Sequence, residues 1–201
     1  MLQITSASAS PFVRKVRITA TMKGLLDRVE FIDLEKDAAK AEALRAANPL
    51  GKIPVARLDD GTLVYDSHVI CELLDGMTPT PKLFPTSMPE RIKALTLAAL
   101  GDGIAEAAIL VVYEGRFRPK EKWHQEWVDK QLAKIDAGIE HLEANIPDWK
   151  GTPDYGHITL AAALGYLDLR FGGKWREGHP KLTAWLDRFA AQVPAFAATK
   201  A

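Results

Sequence analysis

Apolar and polar positions alternate at the start of the chain and then change period. Leu2-Gln3-Ile4-Thr5 reads as a strand. Over 11–23 the apolar residues Val13, Val16 and Ala20 fall at helical spacing, with Arg14, Lys15 and Arg17 assigned to other faces, and Gly24 supplies a left-handed stop. Val29-Glu30-Phe31-Ile32 is a second strand, which a strand–helix–strand unit makes parallel to the first. An alanine-rich helix over 38–47 ends at Asn48-Pro49, because the residue before proline avoids helical geometry. Segments 53–58 and 62–65 flank Asp59-Asp60-Gly61, a hairpin signal. A short helix over 67–75 closes the order β-α-β-α-β-β-α.

Beyond a proline-rich connector (Thr78-Pro79-Thr80-Pro81, Phe84-Pro85) the period is helical throughout. Over 90–113 the stripe is Ile92, Leu95, Ala99, Gly103, Ala107 and Leu110. Val128, Leu132, Ile135, Ile139, Leu142 and Ile146 mark a helix over 120–145, with Trp123 and Trp127 either as packing anchors, the commoner use, or as an aromatic ligand stack. Leu160, Leu164, Leu167 and Phe171 mark another, and Leu182, Trp185, Leu186, Phe189 and Val193 a fourth. Such stripes bury themselves only against one another, so the fold class is α/β followed by an all-α bundle: a front domain over 1–78, a linker over 79–88 and a helical domain over 89–201.

Composition narrows the class. The 201 residues are 47% hydrophobic and 26% charged, with 26 basic and 26 acidic side chains, so no nucleic-acid footprint is expected. No unbroken apolar run suggests a membrane span, and no leader is evident. The single cysteine, Cys71, fits a buried helical position and a reducing, cytoplasmic setting. The histidines at 68, 124, 141, 157 and 179 lack paired ligand spacing, so no metal is expected.

Three short segments carry candidate chemistry. Ser10-Pro11-Phe12 places a hydroxyl at a helix mouth followed by proline at the first helical position, where a missing N–H costs nothing. Ser10 is there either a helix cap or a donor to an anion such as a thiolate, with the helix end adding positive potential. Asn48-Pro49-Leu50-Gly51-Lys52-Ile53-Pro54 sets proline at the head of a strand, which removes a ladder donor; sequence alone favours an ordinary trans edge proline. Asp66-Ser67 opens the next helix, as a cap or as a pair that holds the amine and carboxylate of an amino acid.

In this order, these segments resemble the thioredoxin-like domain of the glutathione transferase superfamily, and the helical remainder matches its second domain. Ala163-Leu164-Gly165-Tyr166-Leu167-Asp168-Leu169-Arg170-Phe171 and His179-Pro180-Lys181-Leu182 are similar to bacterial members. The resemblance implies a serine-type enzyme in which Ser10 hydrogen-bonds the sulfur of the co-substrate glutathione, with Ser8 a nearby rival. It implies a cis bond before Pro54, Ile53 pairing with the cysteinyl backbone, Asp66 and Ser67 holding the γ-glutamyl end, and Lys52 near the glycine carboxylate. Phe12 and Tyr113 either line the electrophile pocket or pack internally. No tyrosine precedes Tyr65 and no cysteine lies near the first helix, which argues against tyrosine-assisted and disulfide-exchanging relatives. The family also implies a homodimer and conjugation of a small hydrophobic electrophile, in detoxification. Isomerisation, dehalogenation, ether cleavage or a non-catalytic interaction module remain alternatives on the same scaffold. Its usual capping box on the central buried helix falls at Thr159-Leu160-Ala161-Ala162, where Thr159 is expected to cap without its reciprocal acid.

Overall fold

Four strands form one sheet in the order β2-β1-β3-β4: β1 (Leu2–Ser6), β2 (Val29–Asp33), β3 (Val55–Arg57) and β4 (Leu63–Tyr65). The computed structural model describes residues 1–34 and 36–201. β1 and β2 are parallel, with Leu2 opposite Val29, and helix α1 (Pro11–Met22) supplies the crossover that such a pair requires. β3 runs antiparallel to both β1 and β4. Gly61, at φ +86°, turns the β3–β4 hairpin, and the Asp60 carboxylate accepts from the Thr62 N–H at 2.8 Å. β3 starts at Val55 rather than at residue 53 because Pro54 has no N–H to give the ladder.

The remaining elements are helical: α2 (Ala38–Ala46), α3 (Ser67–Gly76), α4 (Met88–Phe117), α5 (Gln125–Ala144), α6 (Tyr155–Phe171), α7 (Pro180–Gln192) and the short α8 (Pro194–Ala198). Two compact units result, one of residues 1–91 with 193–201, the other of residues 92–192. This division differs from the sequence expectation at the tail. Residues 193–201 join the front unit because Arg14 of α1 donates to the Phe196 carbonyl at 2.7 Å and lies 4.0 Å over the Phe196 ring.

In the front unit, Ile4, Val16, Ile18, Val55, Ala56, Ile70 and Leu74 are buried, and α1 packs on α3. The Thr19 hydroxyl lies 3.4 Å from the Cys71 sulfur, so Cys71 is a buried core position, as its pattern suggested. Gly24, at φ +65°, follows the last turn of α1 as expected.

In the helical unit the α4 stripe lies on a different face from the one expected. Of that stripe Ala107 is buried and Leu95 half-buried, but Ile92, Ala99, Gly103 and Leu110 are exposed, whereas Ala94, Ala98, Gly101, Ile104, Ala105 and Ala108 are buried. The reason is close approach. A Cβ at Gly156 would sit 2.5 Å from the Ala94 carbonyl oxygen, and one at Gly101 would sit 3.1 Å from Leu160 backbone atoms. Only small residues fit between α4 and α6 at these points, so Ile92 and Leu110 turn outward, while Ile104 packs against Gly138 of α5. By length and composition alone α4 would also cross a membrane, but its small-residue face is taken up by this packing.

Two local expectations are corrected. α5 starts at Gln125 instead of residue 120; Lys120–Lys122 is a 3-10 turn, fastened by the buried Glu114 carboxylate, which accepts from the His124 N–H at 3.0 Å and from Arg118 at 3.1 Å. Trp123 is therefore not a helix anchor: it is 40% exposed, its ring covers Gly115, and its indole N–H donates to the Arg118 carbonyl. Likewise Thr159 does not cap α6. Asp154 does, accepting from the Gly156 and His157 N–H groups, while the Asp154 N–H donates to His157 Nδ1 at 3.2 Å. Thr159 sits one turn inside and donates to the Tyr155 carbonyl at 2.9 Å.

Candidate functional site in the front unit

Ser10 is the N-cap of α1, with extended backbone at φ −81° and ψ 122°, and its Oγ accepts from the Val13 N–H at 3.3 Å. Accepting that bond uses a lone pair and leaves the hydroxyl proton available for donation. Pro11 occupies the first helical position, and the N–H of Phe12 lies too early in α1 to reach a carbonyl four residues back. Ser10 is half-buried, held at the mouth of the turn by donating its N–H to the Ala7 carbonyl at 3.1 Å; Ser8, in that turn, is exposed.

Two cations on α1 are buried, which the amphipathic pattern did not reveal. Arg14 is 8% exposed and Lys15 is 1% exposed, although both lie off the apolar stripe of Val13, Val16 and Ala20. The tail covers Arg14, through Phe196 and through Thr199 Oγ1 at 3.4 Å. The Lys15 ammonium stands 5.6 Å from the centroid of the half-buried Phe12 ring.

The bond Ile53–Pro54 is cis, and it leads directly into β3. Pro54 is buried and Ile53 half-buried, while Lys52 is exposed, with its carbonyl accepting from Asn48 Nδ2 at 2.9 Å.

Asp66 is the cap of α3, not Ser67. Its carboxylate accepts from the His68 N–H at 2.7 Å, and Ser67, the first helical residue, is 4% exposed. Asp66 adopts φ +72° and ψ 130° and, among the described residues, is the one non-glycine with positive φ. A side chain at such an angle costs about 1–3 kcal/mol, a penalty that concentrates at binding and catalytic positions. Thus Ser10, Phe12, Lys52, Ile53, Pro54, Asp66 and Ser67 all belong to the front unit, on α1, the β3 approach and the head of α3, whereas Tyr113 belongs to the helical unit.

Residues 9–77 match the family model described as "Glutathione S-transferase, N-terminal domain", and residues 125–188 match "Glutathione S-transferase, C-terminal domain". The chain belongs to the glutathione S-transferase family. Within it, this glutathione S-transferase family member is 31% identical over 172 residues to the uncharacterized GST-like protein YibF of Escherichia coli (strain K12), covering 84% of this chain and 83% of that protein. A glutathione transferase family member from Pseudomonas fluorescens Pf-5, solved with bound glutathione, superposes with a TM-score of 0.89 at 39% identity, covering 100% of this chain and 98% of the other. The structure of a Pf-5 family member with bound S-(propanoic acid)-glutathione gives a TM-score of 0.86 at 38% identity, covering 100% and 99%. The family's thioredoxin-like front domain and helical second domain are the architecture described above.

Proposed function

We propose that this chain is a glutathione transferase that joins the glutathione sulfur to a small hydrophobic electrophile, with Ser10 holding the sulfur as thiolate. The observation that carries the reading is Asp66, kept at φ +72° on the head of α3 with Ser67 beside it. A cap alone needs no such angle, since ordinary N-caps sit in extended geometry, as Ser10 does. An acid and a helix N-terminus together suit the γ-glutamyl amine and carboxylate. The glutathione bound to the Pf-5 relative supports the same ligand here.

The chemistry follows from charge. A free thiol has a pKa near ~8.5, so only a small fraction is thiolate at neutral pH. The Ser10 hydroxyl, the Phe12 N–H and the positive end of α1 favour the anion. The thiolate attacks the electrophilic carbon; a carbon–sulfur bond forms as the leaving group departs with its electron pair. Ser10 makes no covalent bond. Ile53 and Pro54 align the cysteinyl backbone, Lys52 faces the glycine carboxylate, and Phe12 of the front unit contacts the electrophile. A cytoplasmic location, read from the lone buried Cys71, and a two-fold dimer, carried by the family resemblance, complete the proposal.

Calorimetric titration with glutathione tests the reading. Saturable binding, with conjugate formed on adding an aryl halide, is the expected result. Absence of heat at millimolar glutathione would overturn it.

A further inference from the structure

The outward turn of α4 exposes an aromatic face at its C-terminal end. Tyr113 and Phe117, one turn apart, are 45% and 68% exposed, with rings 5.1 Å apart at 67°. Arg116 lies between them in sequence, with its guanidinium carbon 5.6 Å from the Phe117 centroid. On α6, Tyr166 and Arg170 form a second one-turn pair, 5.9 Å from guanidinium carbon to ring centroid. The two pairs stand on helices that pack closely together, with a Cβ at Gly101 only 3.1 Å from Leu160 backbone atoms, and the buried Tyr166 ring lies on the α6 side. Burial pushes the pKa of the Tyr166 phenol up, against the opposing influence of Arg170 and Arg116. The phenol therefore stays protonated and remains a hydrogen-bond donor.

The two arginines differ from the others of the helical unit. Arg118 is paired with Glu114, Arg176 with Asp168 and Asp187, and Arg188 with Asp148. Among the described residues, neither Arg116 nor Arg170 has a carboxylate partner, although both are exposed. Two guanidiniums without counter-ions beside two exposed rings and a phenol donor make a complementary surface for one kind of molecule. A flat apolar body lies against the rings, and an acid takes the guanidiniums, which match carboxylate oxygens in pairs.

We infer that Tyr113, Arg116, Phe117, Tyr166 and Arg170 form a binding site for a flat, apolar small molecule that bears a carboxylate. Arg116 and Arg170 make this site select acidic over neutral ligands.

The test compares cinnamate with cinnamamide, which share a shape and differ in charge, by calorimetry without glutathione. The wild-type protein is expected to bind cinnamate about tenfold or more tightly than the amide. In the double variant Arg116→Gln/Arg170→Gln that preference falls to about twofold or less, with the affinity for the amide retained. Equal binding of acid and amide, no binding of either, or a preference that survives both substitutions would overturn the inference. Titration with glutathione is scored separately: its failure removes the transferase reading and leaves the acid site standing, and the converse result removes only the acid site.

Discussion

The Lys23 ammonium and the Asp75 carboxylate lie 3.0 Å apart with both side chains sealed from solvent, at 0% and 1% exposure, joining the end of α1 to α3. Lys23 also donates to the carbonyls of Thr78 and Pro81, and Asp75 accepts from the Leu83 and Phe84 N–H groups and from Lys82. Every member is satisfied, which is the condition under which a buried ion pair persists. The pair also fixes the start of the connector that leaves α3. Replacing Asp75 with alanine strands a buried ammonium and is expected to cost about 3–5 kcal/mol, measured by urea unfolding.

The same carboxyl sets an acid limit. Burial pushes the Asp75 pKa up, but the Leu83 N–H, Lys82, Lys23 and the Phe84 N–H outweigh it, leaving the pKa below the usual carboxylate value. A depressed folded-state pKa means that the unfolded chain takes up the proton first as pH falls. The contribution is therefore complete above the unfolded pKa of about 4 and is lost as pH drops below it. Asp75→Asn should flatten that part of the stability–pH curve. An unchanged slope below about pH 4 in the variant would assign the acid sensitivity to other groups.

Ser10→Ala separates activation from binding. The thiol pKa of bound glutathione should rise by about one to two units, since one charge-assisted hydrogen bond is lost, while glutathione affinity changes little. Ultraviolet absorbance of the thiolate across a pH series reads this directly. The variant also loses the bond to the Val13 N–H, at about 0.5–2 kcal/mol of stability. If neither thiol pKa nor turnover moves, sulfur activation rests with the backbone or with Ser8.

Asp66→Asn keeps the cap and removes the charge. Asparagine caps helices as well as aspartate and tolerates positive φ better than most residues, so the thermal midpoint should hold. Glutathione affinity should fall by about ten- to a hundredfold, the worth of a hydrogen bond to a charged amine. Full affinity in this variant would reduce Asp66 to a strained cap.

On α6 the expected cap and the observed one can be told apart by two single substitutions. Asp154→Ala should cost about 1 kcal/mol, because two N–H groups lose their acceptor. Thr159→Val should cost less, since the Tyr155 carbonyl keeps its helical bond. Chemical denaturation of both variants decides the ranking.

These differences mark where the sequence is legible and where it is not. The order of strands and helices follows from changes of period, and the cap at Ser10 from residue type, because both are local; at α3 residue type pointed to Ser67, one position past the actual cap, Asp66. The buried face of α4 is not local. Alanine and glycine carry little hydrophobic signal, so the stripe of larger residues drew the assignment to Ile92 and Leu110, and only the approach of α6 at Gly156 shows which side is inside. Asp154 had a readable signal in its spacing to His157, an acid three positions before a residue able to reach back. The arrangement of Tyr113, Arg116, Tyr166 and Arg170 had none, since it arises from two helices separated by some fifty positions.

The clasp of Arg14 on Phe196 and Thr199 gives the front unit a seam that closes last. A ribosome releases α1 and the sheet long before it releases the residues that shield the Arg14 guanidinium, so this unit reaches its finished form only after the helical unit has been synthesised. Excising 1–91 for separate study would strip the Phe196 and Thr199 partners from that guanidinium, four positions from Ser10, and the fragment would report on a helix mouth unlike the one in the whole chain.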